Sequence, residues 1–283
     1  MSDDAETALW VNRKAELQAL CAAIRRRESR LVCGPSDSGK TALLRRALQE
    51  IPGSIRGRCC FVQAPKSPHD FLVQFLAQLA TAGNRVCRER LEREGVSPGR
   101  AAHWFAAQTS VRLRGMMYRC LRAGEFWLAV DDAEKWSPAA GRLLYDVAYR
   151  GETPVILLAR GFRPDEIGKA TRLFWHDGQR IRLSALPYED ANALLDRCIS
   201  FHALSGEGLS EFRNEVLHAS DLLPGGIVKL CRMARLPKYR FGEQIKSVLV
   251  RVDYLMEKQG EQFPAVSGPP GFSKSQHNMM ENK

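Results

Sequence analysis

Long apolar runs are missing from this chain: the longest are a handful of residues, far short of the roughly 20 that a membrane-spanning helix needs. The first ten residues, MSDDAETALW, are acidic rather than basic-then-apolar, so no secretory signal is expected either. Paired cysteine spacing is also missing. The eight cysteines (21, 33, 59, 60, 87, 120, 198, 231) contain no Cys-x-x-Cys, which argues against zinc ribbons and dithiol redox motifs. Several lie inside apolar runs, where cysteine behaves as a small hydrophobe, and a reduced cytoplasm suits them. Acid is the scarcer charge, leaving a net +10.

What is present begins with Arg30-Leu31-Val32-Cys33-Gly34-Pro35-Ser36-Asp37-Ser38-Gly39-Lys40-Thr41-Ala42, a short apolar run that enters G-x-x-x-x-G-K-T and continues into a helical pattern. Gly34 and Gly39 permit backbone turns that aim successive N–H groups at one anion, and the following helix adds its positive N-terminal end. Residues 34–42 are therefore expected to cradle a nucleotide's phosphates. Lys40 would reach the β- and γ-phosphates, and the Thr41 hydroxyl would hold Mg²⁺.

A second element answers the first. Glu125-Phe126-Trp127-Leu128-Ala129-Val130-Asp131-Asp132 is an apolar strand ending in two carboxylates, the pairing a P-loop enzyme needs opposite its loop. Asp131 would hold the metal through water, and Asp132 would polarise the attacking water. Further strands are expected over 58–63, 153–160 and 179–183, alternating with helices, so the chain reads as α/β with a five-stranded parallel sheet covered on both faces. Past Leu186-Pro187 the strand signal stops, and 188–203, 209–219, 225–235 and 239–257 carry helical periodicity. The expected organisation is a loose lead-in over 1–9, a nucleotide-binding domain over 10–186, a small all-α lid over 187–260 and a disordered tail over 261–283.

Charge is unevenly spread. Between Arg85 and Arg122 nine arginines face three glutamates, and Arg100–Arg122 reads as one long helix anchored by Trp104, Phe105, Val111, Met116 and Leu121. Such a basic stripe suits a phosphate backbone, with Arg88, Arg112, Arg114 and Arg119 as candidate DNA contacts; the bland reading is a solvated arginine-rich face.

The layout, with an extra strand between the P-loop strand and the acidic strand and helices after the fifth strand, resembles the AAA+ and STAND branch of P-loop ATPases. In that resemblance Gly34–Thr41 matches Walker A and Val130-Asp131-Asp132 matches Walker B. Trp10-Val11-Asn12-Arg13 is similar to the adenine-side entry tetrad, Arg160 falls at the sensor-1 position, and the helix started by Pro224-Gly225-Gly226 would carry sensor 2 at Lys229. An arginine finger would come from Arg163 or Arg172, of which Arg172 is preferred, facing a neighbour's γ-phosphate in a ring or filament. The chain departs from AAA+ hydrolases in having Asp132 where they place Glu, which implies slow, regulatory ATP hydrolysis.

By size and plan the chain is most similar to the accessory ATPases of DNA transposition. That resemblance implies ATP- and Mg²⁺-dependent homo-oligomeric assembly on duplex DNA and recruitment of a separately encoded partner such as a transposase. The alternative is a STAND-type signalling or defence switch acting through a protein partner without DNA. A small-molecule kinase fits the helical C-terminal part poorly, and no winged-helix segment suggests a replication initiator.

Overall fold

The computed structural model describes residues 9–123, 126–133, 138–242 and 244–262. In chain order, α1 (Lys14–Arg25) precedes the central strand β1 (Arg30–Cys33), and α2 (Lys40–Glu50) follows the glycine loop. A single turn α3 (Gly53–Arg56) leads to β2 (Cys59–Gln63). Four helices come next: α4 (Pro68–Thr81), α5 (Arg85–Arg93), α6 (Ala101–Ala106) and α7 (Ser110–Ala123). Then come β3 (Trp127–Asp131), α8 (Pro138–Arg150), β4 (Val155–Ala159), the short α9 (Pro164–Ile167) and β5 (Arg180–Arg182). The five strands form one parallel sheet in the order β2-β3-β4-β1-β5.

Side-chain alternation divides this sheet cleanly. Leu31, Leu128, Val130, Val155 and Leu157 face the helices α4 to α8, whereas Val32, Ala129, Ile156, Leu158 and Ile181 face α1 and α2. Both layers are dry, so β3 and β4 are buried at every position. The helix α4 starts at a local capping signal: Ser67 accepts the Asp70 N–H at 3.1 Å on its hydroxyl, with Pro68 in the first turn. All eight cysteines are free, and burial pushes the Cys59 thiol up to about 12, which fits their reading as packing residues. Residues 1–8 of the expected lead-in and 263–283 of the expected tail lie outside the described residues.

After β5 come α10 (Tyr188–Phe201), α11 (Leu209–Ala219), α12 (Pro224–Ala234), the strands β6 (Arg240–Phe241) and β7 (Gln244–Ile245), and α13 (Ser247–Gln262). They enclose a separate apolar cluster that includes Leu194, Phe212, Ile227, Leu230 and Tyr254, and into which Leu9 also packs. Leu9 is thus a buried residue rather than part of a loose lead-in.

Two expectations fail here. Residues 239–246 do not continue the last helix: β6 and β7 pair antiparallel, with Gly242 at φ 57° supplying the left-handed turn that a hairpin requires. Arg100–Arg122 is not one helix either. The chain leaves α6 at Ala107, and Thr109 caps α7 by accepting the Arg112 N–H on its hydroxyl at 3.3 Å. His69 fastens the junction, meeting Ser110 Oγ at 3.1 Å and Ala106 O at 3.2 Å. The break resets the helical phase, so α7 buries Leu113, Met116, Met117 and Cys120 while Val111 is 83% exposed.

This phase is testable by stability. Met116→Ala should lower the unfolding free energy by about 2–5 kcal/mol, and Val111→Ala should change it by less than about 0.5 kcal/mol, both read from urea denaturation. Equal effects at the two positions would contradict the break.

Candidate nucleotide site

The parallel order sets β1 and β3 on either side of β4, so their C-terminal ends open onto one crevice. The glycine loop leaves β1 there. Gly34 donates its N–H to Ala159 O at 3.3 Å, and a Cβ on Gly34 would lie 2.4 Å from Leu183 O, so no larger residue fits. Gly39 has φ 89° and starts α2, whose first turn contains Lys40 and Thr41.

Thr41 Oγ1 donates to Asp131 Oδ2 at 2.7 Å, and Asp131 Oδ1 accepts the Asp132 N–H at 2.9 Å. A hydroxyl and a carboxylate from segments far apart in sequence are therefore within one hydrogen bond. Asp131 is 3% exposed. Lys40 is also buried and lies over the loop, its Nζ donating to Gly34 O and Pro35 O at 2.9 Å each. Ser38 Oγ is buried with no partner among the described residues. A cationic amine resting on carbonyls and an orphaned hydroxyl in a glycine loop fit an incoming triphosphate, which would satisfy both.

The cleft above this floor has a volume of about 650 Å³, within the usual range for small-ligand sites. Its polar end holds residues 36–42, Asp131, Asp132 and Arg160; its apolar end is walled by Trp10, Val11, Leu186, Leu194 and Val228. One end thus suits phosphates and the other a planar base. Among the described residues no group of three or more His, Cys, Asp or Glu side chains could hold a metal without such a ligand. Thr41 and Asp131 are the residues that could hold Mg²⁺ together with phosphate oxygens, their side chains lying within one hydrogen bond.

The helices after β5 meet the loop chiefly at Asp37, with Pro224 also packed beside Gly39. Asp37 sits in the left-handed region at φ 65°, its carbonyl accepts the Gly225 N–H at 2.8 Å, and its carboxylate accepts the Tyr254 hydroxyl at 3.2 Å. Gly225 has to be glycine, because a Cβ there would lie 2.8 Å from Asp37 Cα.

Of the remaining sequence-derived candidates, Arg13 and Lys229 line the cleft. Arg13 pairs with Glu16 at 3.1 Å and donates to Ser184 O; its buried Nε has no partner among the described residues. Lys229 pairs with Glu257 at 2.8 Å. Arg172 is exposed in the 3-10 turn Gly168–Leu173, not on an α-helix, and lies away from the cleft. Arg88, Arg112, Arg114 and Arg119 are likewise outside it. Arg88 pairs with Glu92 at 3.7 Å, and Arg112 pairs with Glu94 at 3.2 Å and stacks 5.4 Å from the Trp104 ring, whereas Arg114 and Arg119 are exposed on α7. Two cations on the cleft wall were not singled out in the sequence, Arg45 and Arg232. Both were findable by helical spacing, four residues after Thr41 and three after Lys229.

Comparison with known proteins agrees with this geometry. A family model described as an AAA ATPase domain matches residues 9–158. No curated protein matches the chain. The fold is similar to that of a Walker-type ATPase of Pyrococcus abyssi (TM-score 0.58, 16% identity, covering 91% of this chain and 77% of that one). It is also similar to Cdc6p from Pyrobaculum aerophilum (0.55, 13%, 83% and 65%) and to the Aeropyrum pernix Orc1 protein in complex with DNA (0.61, 14%, 89% and 68%). The chain thus spans about two thirds of the length of the last two. A P-loop floor, an acidic strand beside it and the matching family model together establish that this chain belongs to the AAA ATPase domain family and is an ATPase.

Proposed function

We propose that the chain is a slowly hydrolysing ATP switch, in which ATP and Mg²⁺ occupy the cleft and their presence sets assembly on duplex DNA and recruitment of a separately encoded protein such as a transposase. The hydrogen bond between Thr41 and Asp131 carries the nucleotide part of this reading. Bound Mg²⁺ would neutralise charge on the β- and γ-phosphates. Lys40 would move from its carbonyl contacts to the phosphates, Asp132 would orient water, Arg160 and Lys229 would sense the γ-phosphate, and Arg172 would reach a neighbouring subunit's site. The division into a nucleotide-binding part ending near 186 and a helical lid belongs to the same proposal.

Backbone geometry favours the short acid at position 132. Asp132 has φ 54°, a region that Asp adopts far more readily than Glu. The short carboxylate thus follows from the backbone here, and a longer acid would strain it.

For DNA, the support is the exposed Arg114 and Arg119 on α7, together with Arg100 and Arg122. One structural neighbour is described in complex with DNA, though its 14% identity is a likeness of fold. A specific observation favours the STAND-type alternative, a switch working through protein alone. Arg85, Arg88, Arg90, Arg93 and Arg112 all pair with Glu89, Glu92 or Glu94, so these five arginines are engaged within the chain and three of the nine charges are offset.

Lys40→Ala should weaken ATP binding at least about 100-fold by calorimetry with magnesium; retained affinity would remove the basis of the proposal. In single-turnover assays the wild type should hydrolyse below about 1 per second, Asp132→Asn should be at least about tenfold slower, and Asp132→Glu should bring no acceleration. Arg114→Glu with Arg119→Glu should reduce affinity for random duplex DNA at least tenfold near 0.1 M salt and flatten the salt dependence by about two ions. Unchanged affinity would leave the protein-only switch.

A further inference from the structure

The outer face of α13 is apolar. Val248, Leu249, Val252, Leu255 and Met256 are 50%, 40%, 41%, 38% and 66% exposed, and at 3.6 residues per turn they fall within an arc of about 120°. This arc lies opposite the face through which Val250 and Tyr254 enter the core. The exposed Gln259 caps the C-terminal end of the stripe. Four charged side chains of the helix are occupied elsewhere: Arg251 pairs with Glu215 at 2.9 Å, Asp253 with Lys238 at 3.0 Å, Glu257 with Lys229 at 2.8 Å and Lys258 with Asp221 at 2.9 Å. Four ion pairs thus fix the helix with its apolar stripe outward.

The stripe is symmetric about Val252. Val248 and Met256 lie four residues either side of it, and Leu249 and Leu255 three either side. Laid antiparallel on a copy of itself, the helix would place every apolar residue against an apolar partner and Val252 against its own counterpart, which is the self-complementarity a twofold interface requires. Charge permits the approach. Residues 1–186 contain thirty basic and twenty acidic side chains, whereas 187–262 contain ten and eleven, so the repulsion expected of a +10 chain is absent on this side.

We propose that α13 is a twofold docking surface for a second copy of this chain, formed without nucleotide and independent of any ATP-driven assembly. The five side chains expose roughly 400 Å² per copy, about half of what a standard stable interface contributes per partner, so the contact is weak and reversible.

Sedimentation equilibrium of the nucleotide-free full chain, from about 1 to 200 µM, tests this. Expected is a monomer–dimer equilibrium that persists in Lys40→Ala, which separates it from the ATP switch, and whose Kd rises at least about 20-fold in Val252→Asp. Val252→Cys should form a disulfide-linked dimer on treatment with diamide, because the residue meets itself on the axis; wild type and Lys246→Cys, off the stripe, should not. A chain that remains monomeric at 200 µM, as it would if residues 263–283 or an amphipathic helix of another protein covered the stripe, overturns the proposal. So does a dimer unaffected by Val252→Asp, or equal cross-linking at 246 and 252.

Discussion

The hydrogen bond from Thr41 to Asp131 is the constraint on which the rest of the molecule depends. One end lies in the first turn of α2, which the glycine loop joins to β1, and the other closes β3; they meet only because β4 holds β1 and β3 at a fixed spacing in one parallel sheet. That sheet in turn exists because both of its faces are apolar: alternate residues of β1, β3 and β4 feed two separate clusters, each covered by helices. Hydrophobic layering thus sets the position of a hydroxyl and a carboxylate to within a hydrogen bond.

Asp37 extends the same logic to the helices beyond β5. A residue in the middle of the phosphate loop is held by a backbone N–H from the start of α12 and by a hydroxyl from α13. Loop and helices are thereby joined by two hydrogen bonds to one residue. The outward apolar stripe sits on the helix that carries Tyr254, two residues from Val252.

Much of this was legible in the sequence. The glycine loop, the acidic strand, five parallel strands and the helical region after Leu186 follow from spacing and period alone, because each rests on local backbone chemistry or a continuous apolar run. The errors arose where tertiary contacts overrule periodicity. Val111 looked like a core position because a single helical phase was carried through Thr109, where a hydroxyl cap and the His69 contacts start a new helix. Residues 239–246 looked helical because their apolar residues recur at compatible intervals, yet Gly242 turns the chain and Tyr239 is buried, donating its hydroxyl to Asp253 at 2.8 Å.

By itself, then, the order of residues determined which chemistry the chain can perform: a phosphate loop needs its glycines, lysine and threonine contiguous, so they are visible in a line of text. Only the tertiary structure decided which charges face that chemistry. Arg45 and Arg232, on different helices, share one cleft wall, and Arg112 crosses from α7 to Glu94 beside α5. The physical reason is range: loop geometry and pairs such as Arg85 with Glu89 are settled within a few residues of one segment, while meetings between side chains of separate helices depend on how those helices pack.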